Sequence, residues 1–140
     1  MRSEARRELL ASRADVWGFL AEPYHLSDWF PGITGVQPDR RGFAPGARWQ
    51  VHGTRWTNPF TGRRPVDQLL VIREIAEYES WRFHLVAERL DVEVRLRALA
   101  PDRTEVGVAV EGGWLVGGRR SLAQKAVERL HALVQTAGDY

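Results

Sequence analysis

Four histidines and no cysteine bound the chemistry open to this chain of 140 residues. Without cysteine there is no thiolate nucleophile, no disulfide framework and no Cys-based zinc or iron–sulfur site. Histidine ordinarily titrates near neutral pH, so His25, His52, His84 and His131 are each weighed as acid, base or metal ligand. His84 shares the polar side of an alternating run with Arg82 and Glu88, and His131 lies on the flank of a helix away from its apolar stripe. His52 has the opposite parity to Trp49 and Val51, so these three histidines are predicted to point away from any interior pocket. His25 differs, because Asp28 follows three residues later beside Trp29, a spacing that puts both on one face of a short helix. Such a pair could bind or protonate a ligand at a pocket mouth; the plainer alternative is that His25 and Asp28 cap and solubilise the helix. Only these two potential metal ligands are close in sequence and no HExxH pattern occurs, so no metal is expected. GxSxG, GxGxxG and GxxxxGK[ST] are absent, and the glycines flanking Trp114 to Gly118 suggest backbone freedom rather than a phosphate cradle, so no cofactor is expected.

Six tryptophans are an aromatic excess for this length. Trp49, Val51, Trp81 and Phe83 have the parity of inward strand positions, Trp29 lies in a short helix, and Leu130 and Val134 belong to the apolar stripe of a long one. Together they could line a cavity for a ligand, or simply pack a core. The stretch Thr54 to Pro65 (TRWTNPFTGRRP) is long for a hairpin connection and carries Trp56 and Phe60. It reads either as a flap closing over an apolar ligand or as a surface loop pinned by two aromatic anchors, its arginines solvated.

The elements that must position these residues follow from periodicity. Glu4 to Ser12 reads as a first strand, with Ser12 or Asp15 capping a helix over Ala14 to Ala21 whose apolar residues are Val16, Trp17, Leu20 and Ala21. Pro23 stops it, and Tyr24 to Phe30 forms a second short helix closed by Pro31-Gly32. Beyond Ile33 the period becomes two, with turns at Pro38-Asp39, Pro45-Gly46 and Asn58-Pro59. Trp81, Phe83, Leu85 and Ala87 alternate with polar neighbours, as do Leu90 to Ala98 and, after a Pro101-Asp102 turn, Val106 to Val110. Short connections of this kind make an antiparallel sheet with one dry face. Arg119 to Ala137 supplies its cover, a helix with Leu122, Ala126, Leu130, Leu133, Val134 and Ala137 at three- and four-residue spacing. The expected fold class is α+β: a strand, two short helices, about six strands and a long C-terminal helix.

The hydrophobic fraction of 44% and charged fraction of 27% are those of an ordinary globular protein, and residues 1–140 read as a single domain. The net charge of +2 arises from dispersed charges of both signs, with scattered pairs such as Arg40-Arg41 and Arg63-Arg64, which argues against a nucleic-acid stripe. No apolar run is long enough to span a bilayer and the charged opening MRSEARRELL lacks a secretory core, so a cytoplasmic location is expected. A homodimer stays open beside a monomer.

The order of elements, the wording ADVWGFLAEPYHLSDWFPGI (Ala14 to Ile33) and FAPGARWQV (Phe43 to Val51) resemble the polyketide cyclase/dehydrase family of the START-like, Bet v 1-like superfamily. The resemblance implies a helix-grip fold, in which a curved antiparallel sheet of about seven strands wraps the C-terminal helix around a cavity for apolar or amphipathic molecules. The chain also resembles the Hsp90-ATPase-activator-like branch, whose first helix carries a similar Val-Trp, although Phe30 after Trp29 favours the cyclase-like branch. Three functions follow as expectations: binding of a hydrophobic or aromatic small molecule, lipid- or polyketide-like; a cyclase or dehydratase reaction in the same cavity; or a protein-interaction role.

Overall fold

A computed structural model describes residues 2–58, 62–112 and 121–138, with side chains throughout except at 54–58, 62–64, 66 and 136–138. Its elements are β1 (Arg2–Leu9), α1 (Arg13–Ala21), a 3₁₀ turn (Pro23–His25), α2 (Leu26–Trp29), β2 (Ile33–Gln37), β3 (Arg48–Asn58), β4 (Gly62–Ala76), β5 (Ser80–Leu85), β6 (Leu90–Ala100), β7 (Arg103–Gly112) and α3 (Leu122–Gly138). The seven strands form one sheet in the order β1-β7-β6-β5-β4-β3-β2, antiparallel at every pairing. The α+β, helix-grip arrangement expected from the sequence is the one observed.

Several boundaries move for identifiable reasons. β1 stops at Leu9, which frees Ser12 to cap α1: its hydroxyl accepts the Asp15 N–H at 3.1 Å, so Ser12 and not Asp15 is the cap. β5 ends at Leu85, because the chain turns at Val86–Arg89 with Arg89 at φ 54°, and Ala87 therefore leaves the inward series. The expected long connection from 54 to 65 is mostly ladder: Thr54 pairs with Pro65, Arg55 with Arg64, Trp56 with Arg63 and Asn58 with Gly62. Backbone donors and acceptors that a loop would leave to water are thus satisfied by β-pairing, and a free flap over that whole stretch is excluded. The Trp56 side chain and all of Phe60 lie outside the described residues.

Alternation sorts the sheet into two faces. The inner face buries Ala5, Leu9, Trp49, Val51, Leu70, Ile72, Trp81, Phe83, Leu85 and the valines of β6 and β7, while Arg2, Glu4, Arg6, Arg95 and Arg97 point outward. Register shifts at Ile33/Gly35, Ile72/Glu74 and Ala98/Ala100 bend the strands, giving the sheet its curve. α3 packs on β1, β7 and α2. Its buried stripe is Ala123, Ala126, Val127, Leu130 and Val134, with Leu122 and Leu133 only partly covered. Ala123 and Val127 thus join the buried side, while Leu122 and Leu133 of the expected stripe lie at its margin.

One polar clasp accompanies this packing. Arg7 has the inward parity of Ala5 and Leu9, and its guanidinium donates to both oxygens of Glu128 on α3 at 2.7 Å. Gln124 donates to the same carboxylate at 2.8 Å, and Gln135 accepts the Leu10 N–H at 3.0 Å. His131 is half-buried with Nδ1 at 3.5 Å from the Arg7 guanidinium, so it stands at the helix–sheet seam and not in open solvent. Among the described residues no helix is long and apolar enough to cross a membrane.

Backbone approaches closely at Gly53, opposite Ile33: a Cβ there would lie 2.2 Å from the Gly32 carbonyl oxygen. Gly53→Ala is expected to destabilise the protein by about 1–3 kcal/mol in urea unfolding, because backbone cannot yield as a side chain does. A variant with wild-type stability would contradict that crowding.

Candidate functional site

The site begins with a knotted loop between β2 and β3. The Asp39 carboxylate accepts backbone N–H groups from Arg48 at 2.9 Å, Arg41 at 3.0 Å and Gly42 at 3.2 Å. These bonds, that from Arg48 foremost, favour the charged form and hold the Asp39 carboxyl below its ordinary value against a smaller opposing effect of desolvation. Gly42 and Gly46 take φ of 60° and 83°, the left-handed region where glycine is at ease. The far end is tied to β4, with the Gly46 N–H donating to Ile72 O at 2.8 Å and the Ile72 N–H donating to Ala47 O at 2.9 Å. Held this way, the loop presents the Gly42 carbonyl to Trp49 Nε1 at 2.7 Å and the Phe43 ring to Trp81 at 5.0 Å.

Around Trp81 the rings converge. Its centroid is 4.7 Å from Phe83, 5.8 Å from Trp49 and 6.2 Å from Trp29 of α2. Phe30 closes the circuit, edge-on to Trp29 at 5.8 Å and to Phe83 at 5.9 Å, while Trp17 of α1 meets Phe43 at 5.6 Å. Edge-to-face and tilted geometries at these separations are the favourable ones for aromatic pairs. Trp29, Trp49 and Trp81 are all completely buried.

Of the residues singled out in the sequence, the structure therefore brings together Trp29, Trp49, Trp81 and Phe83. Val51 shares their buried face of the sheet, and Leu130 and Val134 lie on the buried side of α3, which reaches this region by packing on α2. Phe30 and Phe43 belong to the cluster although sequence reasoning missed them. The glycine-bracketed FAPGARW run was the available signal for Phe43, since a loop stitched immediately before a buried strand carries its own aromatic inward.

The indole nitrogens are not equivalent. Trp49 donates to Gly42, but the buried Nε1 atoms of Trp29 and Trp81 have no hydrogen-bond partner among the described residues. Leaving such a donor unpaired costs about 1–3 kcal/mol, so two in one cluster call for an explanation.

The histidines stand elsewhere. The His25 ring stacks on Phe19 at 4.1 Å and its Nδ1 donates to the Phe19 carbonyl at 2.8 Å, while Asp28 is exposed. The 3₁₀ turn sends the imidazole back toward α1, so His25 and Asp28 form no polar pair at a pocket mouth, nor does the His25 side chain cap α2. His52 meets Asp67 at 2.7 Å across β3 and β4, and His84 meets Asp91 at 3.0 Å across β5 and β6. Both dyads occupy the polar side of the sheet, opposite the ring cluster. The buried polar side chains among the described residues are Gln68, bonded to Glu88, and Thr104, whose hydroxyl donates to Ala11 O at 2.9 Å. No group of three or more potential metal ligands occurs among the described residues.

The outer face carries an open depression of about 890 Å³ lined by Arg2, Arg6, Arg95 and Arg97 with Glu4 and Glu105, among others. Its charges pair with one another, Arg6 with Glu4 at 3.3 Å, Arg97 with Glu105 at 3.3 Å and Arg95 with Glu93. Its five arginines face four glutamates, so charges of both signs are interspersed along the lining.

No family model and no curated protein sequence matches the chain. Solved structures do. A START superfamily protein from Mycobacterium smegmatis aligns with a TM-score of 0.71 at 16% identity, covering 97% of this chain and 98% of its own. A protein from Thermus thermophilus aligns at 0.73 and 12% identity, covering 98% and 99%. KanY aligns at 0.71 and 12% identity over 96% and 97%. At such identities the likeness is one of fold, and the fold is START-like.

Two measurements test this site. Trp49→Phe removes a satisfied indole and strands the Gly42 carbonyl, whereas Trp81→Phe removes a donor with no partner among the described residues. Denaturant unfolding is expected to show Trp49→Phe as the costlier by about 1–2 kcal/mol, and equal costs would refute the distinction. Because the folded Asp39 pKa is depressed, its stabilising contribution is complete above the ordinary carboxylate value and lost as pH falls through the folded one. Asp39→Asn should therefore lose less stability than wild type on acidification below the ordinary carboxylate range; parallel acid limbs would show that Asp39 does not organise the loop.

Proposed function

We propose that this chain binds a hydrophobic or aromatic small molecule, lipid- or polyketide-like, in the interior between the inner face of the sheet and α3. The observation that carries this reading is the convergence of Trp29, Trp49, Trp81 and Phe83 on one buried stretch of that face. Apolar and aromatic walls with a few placed polar groups are what small-molecule sites are made of, and burying apolar ligand surface yields roughly 25 cal/mol per Å² before the costs of association. The START-like fold supports the same reading, one neighbour being a START superfamily protein.

A cyclase or dehydratase reaction needs a proton donor or acceptor at the substrate. The described wall around the ring cluster supplies indole, phenyl and aliphatic groups, Gln68 and Thr104 are bonded to Glu88 and Ala11, and the inward Arg7 is held with Glu128 and His131 at the helix–sheet seam. Binding without turnover is therefore the function proposed, and no feature of the described surface selects a protein partner.

Native mass spectrometry of the protein from its own source, followed by release of any bound molecule, tests this directly. An apolar compound is expected, and adding it at about 100 times its Kd should stabilise the fold by roughly 2.7 kcal/mol in thermal unfolding. An empty protein whose melting is unmoved by a broad panel of lipids, polyketides and fatty acids would overturn the proposal.

A further inference from the structure

Two indoles without an acceptor among the described residues say what kind of molecule the interior would accept. Trp29 and Trp81 are in ring contact at 6.2 Å across the α2–β5 seam, both fully buried and both with an N–H that reaches no acceptor among the described residues. Within the same cluster Trp49 shows the alternative, its indole donating to the Gly42 carbonyl at 2.7 Å. The fold can thus supply an acceptor to a buried tryptophan here, and among the described residues it does so for one and not for the adjoining two. An indole N–H can only donate, so whatever satisfies it must accept.

We propose that the ligand itself completes these bonds: a neutral, largely apolar molecule with one or more carbonyl oxygens of the ketone or ester kind, seated with its oxygen at Nε1 of Trp29 and Trp81. This rests on the reading that the interior binds an apolar ligand. A plain hydrocarbon would leave both donors unpaired. A carboxylate would bring a charge into a dry site, where it needs a cation. Arg2, Arg6, Arg95 and Arg97 face outward, and Arg7, the arginine of inward parity on β1, is engaged by Glu128. A hydroxyl could accept, but its own proton would then need a further acceptor beside the rings, where Trp49, Trp81 and Phe83 present no acceptor atom on their side chains. Carbonyl oxygen meets the need without creating another.

Three probes of equal chain length decide the matter on the full chain: di-n-pentyl ketone, n-undecane and undecanoate, compared by calorimetric titration. The ketone is expected to bind about tenfold more tightly than the hydrocarbon, and Trp29→Phe or Trp81→Phe to bring the ketone-to-hydrocarbon affinity ratio most of the way to one. In proton–nitrogen spectra of the wild-type protein, two of the six indole resonances should move downfield with the ketone and stay in place with undecane. The spectra need no variant, so they decide even where a substitution prevents folding. Equal affinity for ketone and hydrocarbon, or tighter binding of undecanoate, overturns the carbonyl assignment while leaving apolar binding intact. Failure of all three probes to bind overturns both.

Discussion

Keeping Trp81 dry is the constraint on which most of this molecule depends. An indole near the start of a strand presents more surface than any one neighbour can cover, and in this fold the cover comes from segments far apart in the chain. Trp49 flanks it from β3, Trp29 reaches it from α2, Phe43 folds over it from the β2–β3 loop, and Phe83 adjoins it on its own strand. Each of those contributors is fixed by something local: a bulge-bent strand, a proline-started turn, an aspartate holding three backbone amides. Remove the local device and the ring it carries no longer arrives.

That division between local device and distant contact explains what could be read in advance. Strand alternation announces Trp49, Trp81 and Phe83 as neighbours on one face, since period two is a property of the backbone. The two small helices and the long last one are equally legible from proline, glycine and apolar spacing. What was not legible depended on three dimensions. His25 and Asp28 share a helical spacing, but a 3₁₀ turn intervenes and the imidazole finds the Phe19 carbonyl instead. The stretch around Trp56 carries turn residues throughout, yet the ladder runs on through it, because pairing satisfies more backbone groups than an open loop would. That Ala123 and Val127 of α3 are buried while Leu122 and Leu133 are only partly so depends on how the helix is turned against β1 and β7, which no count of apolar residues contains. That two indoles would lack acceptors among the described residues could not be inferred from composition at all.

The two faces of the sheet divide their tasks. The inner one excludes water and holds the aromatic wall, and the outer one is a lattice of paired charges. The same charges manage the sheet's edges. β1 alternates Arg2, Glu4, Arg6 and Glu8 with its buried residues, and β2 at the other end is only five residues long and carries a bulge. Charged, short or kinked edges resist pairing with a second chain. The sheet is thus finished at both ends without closing into a barrel.

The pairing of β1 with β7 also dictates an order of assembly. Leu9 has no partner until Thr104 exists, and Arg2 none until Glu111 does; the clasp from Arg7 to Glu128 must wait longer still. On a chain emerging from the ribosome, the hairpins from β3 to β7 can form as they appear, whereas the first strand stays unpaired until nearly everything else has been made. The apolar half of β1, Ala5 and Leu9, spends that interval in water or in the care of a chaperone. Slow completion of the fold, with its first strand docking late, is built into the topology of the sheet.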